Sequence, residues 1–229
     1  MTYKLSPTSL NLMQECRRCF WLSQHKIWWR PRGIFPSLPN GMDRILKEHF
    51  DKFMKGGEVP PELCDNNECE GMKLFNDEEL LEEWRNARKG LVWEDEKGNI
   101  LHGALDGLLQ KNKKLIVLDY KTRGSDLNLE NGMPDYFKVY KNQLGIYSFL
   151  LRKNGYETED YAFLLFYFPK EVLETGEMIF NTRLVKIDFD IKNVEELFNK
   201  ALEFLDQPCP TKAQGCEWCC LFEGEKENW

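Results

Sequence analysis

The 229-residue chain is 42% hydrophobic and 30% charged, which excludes a disordered or fibrous protein and suits one elaborated domain with its own core. Its net charge of −7 argues against a general nucleic-acid binder, which carries a basic stripe, but leaves room for local basic clusters around an acidic site. The N-terminal residues lack the apolar core of a secretory signal and no apolar run reaches the ~20 residues of a membrane span, so the expected location is the cytosol.

Patterning predicts a helix over 10–27 and a second, amphipathic one over 41–55, ended by Gly56-Gly57. Residues 58–76 read as a loop with Pro60-Pro61 and two cysteines. Asp77 caps a third helix that runs to 89 and stops at Gly90. Three strands follow: 91–95, then, after a turn at 96–99, the two arms of a hairpin at 100–109 and 115–121, around Lys111-Asn112-Lys113-Lys114. A polar loop covers 124–134. Asp135 is placed to cap a long helix over 136–154, with Gly155 behind it. Residues 161–168 form a continuously apolar, buried strand, 178–189 a further strand, and 192–205 the last clear helix. The order helix, three-stranded meander, helix, strand describes an α/β fold with a mixed central sheet flanked by helices.

The hairpin carries the chemistry. With the turn centred between Asn112 and Lys113, Asp106 falls opposite Asp119, and opposed side chains are about 5 Å apart at Cβ. Lys121, two residues on, points to the same face. Carboxylates this close repel, and a divalent cation relieves the repulsion. Mg²⁺ or Mn²⁺ so held polarises a phosphoryl oxygen and activates a water, and a nearby lysine orients that water or offsets developing charge. This is equipment for phosphodiester hydrolysis. Gln143 and Tyr147, four apart, share a face of the long helix.

Gly103-Ala-Leu-Asp106, Asp119-Tyr-Lys121-Thr, the Gln143-x-x-x-Tyr147 pair, the segment 6–20 and the late cysteines occur in an order that resembles the RecB-type branch of the PD-(D/E)XK nuclease superfamily. The resemblance implies a restriction-endonuclease-like core. It implies a metal held by Asp106 and Asp119, a Lys121 that assists the nucleophile, and supporting or DNA-contacting roles for Gln143 and Tyr147. It also implies single-stranded or end-containing DNA as substrate. The family often places a metal-binding histidine four residues after a glycine on an early helix. Here Ile45 stands four after Gly41 and His49 eight after, so His49 is the candidate in a displaced position, with His102 at the edge of the hairpin site.

Eight cysteines in a cytosolic chain point to metal ligation rather than disulfides. Cys16 and Cys19 form one C-x-x-C, Cys216 and Cys219 another, with Cys209 and Cys220 nearby and Cys64 and Cys69 in the loop. One early and three late cysteines is the layout of iron–sulfur nucleases of the RecB branch, including the exonuclease associated with CRISPR adaptation. That resemblance implies a 4Fe-4S cluster on Cys16, Cys209, Cys216 and Cys219. Two C-x-x-C pairs, Cys16, Cys19, Cys216 and Cys219, are equally a zinc pattern. The cluster His25-Lys-Ile-Trp28-Trp29-Arg30-Pro-Arg32 mixes rings and cations as single-strand binders do. The expectation is a Mg²⁺- or Mn²⁺-dependent deoxyribonuclease. The rivals are a catalytically silent nucleic-acid-binding module of this fold and a zinc-stabilised scaffold protein.

Overall fold

The computed structural model describes residues 1–34, 36–64, 66–129 and 132–226. In chain order its elements are β1 (Lys4–Leu5), α1 (Pro7–Glu15), α2 (Arg17–Gln24), α3 (Ser37–Gly56), α4 (Pro61–Cys64), β2 (Lys73–Leu74) and α5 (Glu78–Arg85). Then come β3 (Leu91–Glu94), β4 (Ile100–Gly103), β5 (Gly107–Lys111), β6 (Lys114–Thr122), α6 (Phe137–Lys153), β7 (Tyr161–Val172), β8 (Met178–Asp188), α7 (Lys192–Leu205) and α8 (Glu217–Lys226).

The strands form two mixed sheets. One has the order β1-β4-β3, the other β2-β5-β6-β7-β8. β6 and β7 run parallel, and α6 makes the crossover between them. α6 is apolar nearly all round from Leu144 to Leu151, and it packs against α1, α7 and strands of both sheets. This is the restriction-endonuclease-like α/β arrangement.

The β5–β6 hairpin has the expected register, with Lys111 opposite Lys114 and Gly107 opposite Leu118. Asn112 and Lys113 both have positive φ, 49° and 70°, as the two-residue turn that matches strand twist demands. The arm expected over 100–109 is not one strand. It breaks at Ala104–Asp106, so β4 belongs to one sheet and β5 to the other. The break is stable because its backbone groups find partners outside the sheets. Leu105 N–H donates to the Trp84 carbonyl at 3.2 Å, and the Asp106 carbonyl accepts from Arg85 Nε at 2.6 Å.

The helix expected over 10–27 is two helices. Cys16 is extended (φ −153°), ending α1 and serving as N-cap of α2, its Sγ accepting from Cys19 N–H at 3.5 Å. α1 itself starts at a reciprocal Ser6/Ser9 capping box with Pro7 in its first turn. Asp77 caps α5 as expected, accepting from Leu80 N–H at 3.1 Å. Asp135 does not cap α6. Its carboxylate pairs with Lys138 at 2.8 Å, and Tyr136 takes the cap position without a side-chain bond. Strands β1 and β2 and helix α8 carry too few residues, or too weak a pattern, for sequence to announce them. Within the polar loop over 124–134, Glu130 and Asn131 lie outside the described residues.

Candidate active site and cysteine centre

Asp119 and Lys121 alternate along the central strand β6 and face the same side, while Tyr120 between them packs on Phe50 of α3 with ring centroids 4.6 Å apart. Asp106 follows the break after β4. The Tyr120 N–H donates to its Oδ2 at 3.3 Å, so the two acids sit side by side as the hairpin register requires. Together with Asp43, Lys121, Gln143 and Tyr147 they line a cavity of about 350 Å³.

Asp119 is 1% exposed. Burial, then the neighbouring Asp106 charge, push its carboxyl up to about 7, against the opposing pull of Lys121. Lys121 Nζ lies 2.5 Å from Asp119 Oδ2. Burial pulls Lys121 down, but Asp119 and Asp106 outweigh it and hold the ammonium charged. Apart from that ion pair, the buried Asp119 Oδ2 has no hydrogen-bond partner among the described residues. A buried carboxylate held by one ammonium beside a second carboxylate is a hard donor pair suited to Mg²⁺ or Mn²⁺. The residues therefore fit a divalent metal.

Gln143 Nε2 donates to Tyr147 Oη at 2.9 Å, so the two residues of α6 act as one unit at the cavity wall. Gly103 makes room for that unit: a Cβ there would stand 2.7 Å from the Tyr147 ring. Arg85 anchors the other side, donating to the Asp106 carbonyl while pairing with Asp51 at 2.8 and 2.9 Å.

The histidines lie elsewhere. His49 Nε2 is 3.1 Å from Glu62 and its ring rests against Phe50 and Phe53, outside the cavity. His102 belongs to β4 of the other sheet, opposite Val92. The early helix instead delivers Lys47, two positions and about 200° from His49. Lys47 Nζ lies 3.1 Å from Asp106 Oδ1 and 2.9 Å from Asp43 Oδ2. Burial lowers its pKa, but Asp106 and Asp43 outweigh that and raise it. Sequence reasoning passed over Asp43 and Lys47. Their i,i+4 spacing on the face that also carries Leu46 and Phe50 was the available signal.

A groove of about 850 Å³ between the β3–β4 turn and α7 is lined by Glu94, Asp95, Glu96, Glu195, Glu203 and Asp206 against Lys97 and Lys153.

At the far side, Cys16, Cys19, Cys216 and Cys219 gather with all four Sγ atoms within 4.8 Å of one another. The separations include 3.5 Å for Cys16–Cys219, 3.7 Å for Cys19–Cys216 and 3.8 Å for Cys19–Cys219. Cys209 is outside this group: it is exposed, and its thiol meets the Pro210 carbonyl. Cys19 takes the corner expected for it. Cys64 is exposed and bonded to the Val59 carbonyl, and Cys69 is a core residue. Burial raises the Cys216 thiol, but hydrogen bonds from the Cys219 N–H and the neighbouring thiols bring it down to about 7. Two members of the basic–aromatic cluster, Trp28 and Arg30, brace this centre. Arg30 pairs with Glu15, approaches Cys216 Sγ at 3.9 Å and lies over Trp218, while Trp28 packs on Phe222. Trp29 stays exposed.

Among the described residues no helix is long and apolar enough to cross a membrane. The family model for the PD-(D/E)XK nuclease superfamily matches residues 4–221. Among solved structures, the chain is similar to "Crystal structure of SSO0001", with 17% identity and a TM-score of 0.41 over 92% of this chain and 80% of that one. No curated protein matches the sequence.

Proposed function

Because the chain belongs to the PD-(D/E)XK nuclease superfamily, we propose that it is a Mg²⁺- or Mn²⁺-dependent deoxyribonuclease of the RecB-type branch, acting as an exonuclease on single-stranded or end-containing DNA. The observation that carries this reading is the buried Asp119 carboxylate, ion-paired with Lys121 and set beside Asp106 in one cavity. Asp106 and Asp119 would hold the metal. When bound, it polarises a phosphoryl oxygen and lowers the pKa of a coordinated water. Lys121, fixed in the cavity by Asp119, orients the attacking water and offsets the charge that develops on phosphorus. Lys47 balances the acid pair from the α3 side. The Gln143–Tyr147 unit closes the wall and fixes the approach of the substrate backbone.

The cysteine centre has a structural role in this reading. It ties the break between α1 and α2 to the start of α8. The gathered thiols would hold a 4Fe-4S cluster, or alternatively a zinc ion, and four closely set cysteines are compatible with either. Eight free thiols suit a reducing compartment such as the cytosol.

The test is cleavage of end-labelled single-stranded and duplex DNA with Mg²⁺ or Mn²⁺. Wild type should degrade single strands from an end, and Asp119→Ala should lower the rate by about 10³-fold or more. Absence of cleavage by metal-replete wild type would leave a binding module of this fold.

A further inference from the structure

Two rows of side chains run side by side out of the catalytic cavity. Along β6, Asp119, Lys121 and Arg123 alternate onto one face, and the ladder continues past the strand end because Arg123 N–H donates to the Tyr167 carbonyl at 2.9 Å. Along α6, Tyr136, Tyr140, Gln143 and Tyr147 are spaced four, three and four residues apart, which puts them in one stripe. The rows pair rung by rung. Lys121 Nζ is 5.4 Å from the Tyr140 ring centroid, and Arg123 Cζ is 5.5 Å from that of Tyr136. Exposure rises along the stripe from 6% at Tyr147 to 41% at Tyr136. From Tyr147 to Tyr136 the helix covers about 16 Å, enough for a few nucleotides.

The outermost rung is preorganised. Arg123 Nη1 donates to Tyr136 Oη at 2.8 Å, which holds a large, half-open ring in one orientation. The carboxylates flanking it are neutralised, Asp126 by Arg183 at 2.5 Å and Asp135 by Lys138 at 2.8 Å. Rings that alternate with cations offer a stacking face for a base and a positive edge for a phosphate, and both are open together only in a single strand.

Resting on the nuclease reading above, we propose that the Tyr136/Arg123 and Tyr140/Lys121 rungs form a binding track for single-stranded DNA that feeds the catalytic cavity, with Tyr136 stacking on a base at its outer end. This surface is distinct from the basic–aromatic cluster at 25–32, of which Trp28 and Arg30 pack at the cysteine centre.

The experiment measures binding by fluorescence anisotropy in an Asp119→Asn background, so that the probe survives. The probes are a labelled oligothymidylate and the same oligomer with abasic sites. The reference protein should prefer the oligothymidylate by about ten-fold or more, because a stacked base is worth roughly 1–3 kcal/mol. Tyr136→Ala should cut oligothymidylate affinity at least about five-fold and leave abasic affinity unchanged, while Tyr136→Phe, which keeps the ring, should retain most of the preference. Equal loss on both probes, or no loss, overturns the track while leaving cleavage by wild type intact. If the reference protein binds neither probe and wild type does not cleave, the nuclease reading falls and the track with it. Thermal unfolding of each variant excludes misfolding as the cause, and Tyr136→Leu, which keeps apolar bulk but cannot stack, takes the place of Tyr136→Ala if that variant does not fold.

Discussion

Asp119 shows how far a residue's chemistry depends on its surroundings. Its pairing with Asp106 was legible, because a two-residue turn at Asn112-Lys113 leaves one register for the hairpin. Its near-complete burial was not, because it comes from α6 packing over that face of β6, where Gln143 and Tyr147 line the same cavity. Burial and Asp106 raise its pKa to about 7, so in metal-free protein the native state keeps a proton that the unfolded chain has released above about pH 4. The native state then binds more protons than the unfolded state, and stability falls as pH rises from about 4 to 7, levelling above that. Denaturant unfolding with a chelator should show this decline for wild type. In Asp119→Asn the decline should be much weaker, leaving the variant more stable than wild type at pH 8 by on the order of 1 kcal/mol. Added Mn²⁺ should stabilise wild type but not the variant. A flat wild-type profile would contradict the burial argument. The metal-candidate histidine illustrates the converse. Sequence could offer His49 by its residue type, but the azimuth of α3 sends it to Glu62 and brings Lys47 and Asp43 to the acids instead.

At the scale of elements, patterning located α5, α6, α7 and the β5–β6 hairpin to within a few residues, since each has a cap, a turn or a long apolar period. It missed both breaks, at Cys16 and at Ala104–Asp106. Neither break holds a glycine or proline, and what ends the element is a partner from elsewhere: the cysteine group in one case, Trp84 and Arg85 in the other. The break before Asp106 also brings β4 under α6, where Gly103 meets the Tyr147 ring. Gly103→Ala would place a methyl 2.7 Å from that buried ring, so either α6 shifts or Tyr147 turns away from Gln143. The expected cost is about 1–3 kcal/mol in denaturant unfolding. Cleavage at a temperature where both proteins are folded should fall further than the small loss of folded fraction explains. Unchanged stability and rate would mean that the close approach has no function.

Across the whole molecule, the cysteine centre joins chain segments some 200 residues apart, Cys16 to Cys219. A metal cross-link closing so long a loop would be worth about 5 kcal/mol by the chain-entropy argument. Metal analysis decides its occupant: iron with a visible absorption means a cluster, and about one zinc per chain means a zinc site. Removing the metal, or Cys19→Ser, should speed amide hydrogen exchange in α2 and α8 while β6 and α6 stay protected. Cys209→Ser should do neither, because its thiol faces Pro210. The same long-range closure explains the fate of the basic–aromatic cluster, whose Trp28 and Arg30 are drawn against the tail.

By itself the sequence determined the fold class, the hairpin register and the identity of the acid pair and its lysine. These rest on local turn chemistry and on periodicity, which short stretches of chain encode. Tertiary structure decided the burial of Asp119, the choice of Lys47 over His49 at the acids, and the choice of Cys19 over Cys209 in the thiol group. Each of those depends on which face of one element meets a second element far away in the chain, and no local pattern carries that information.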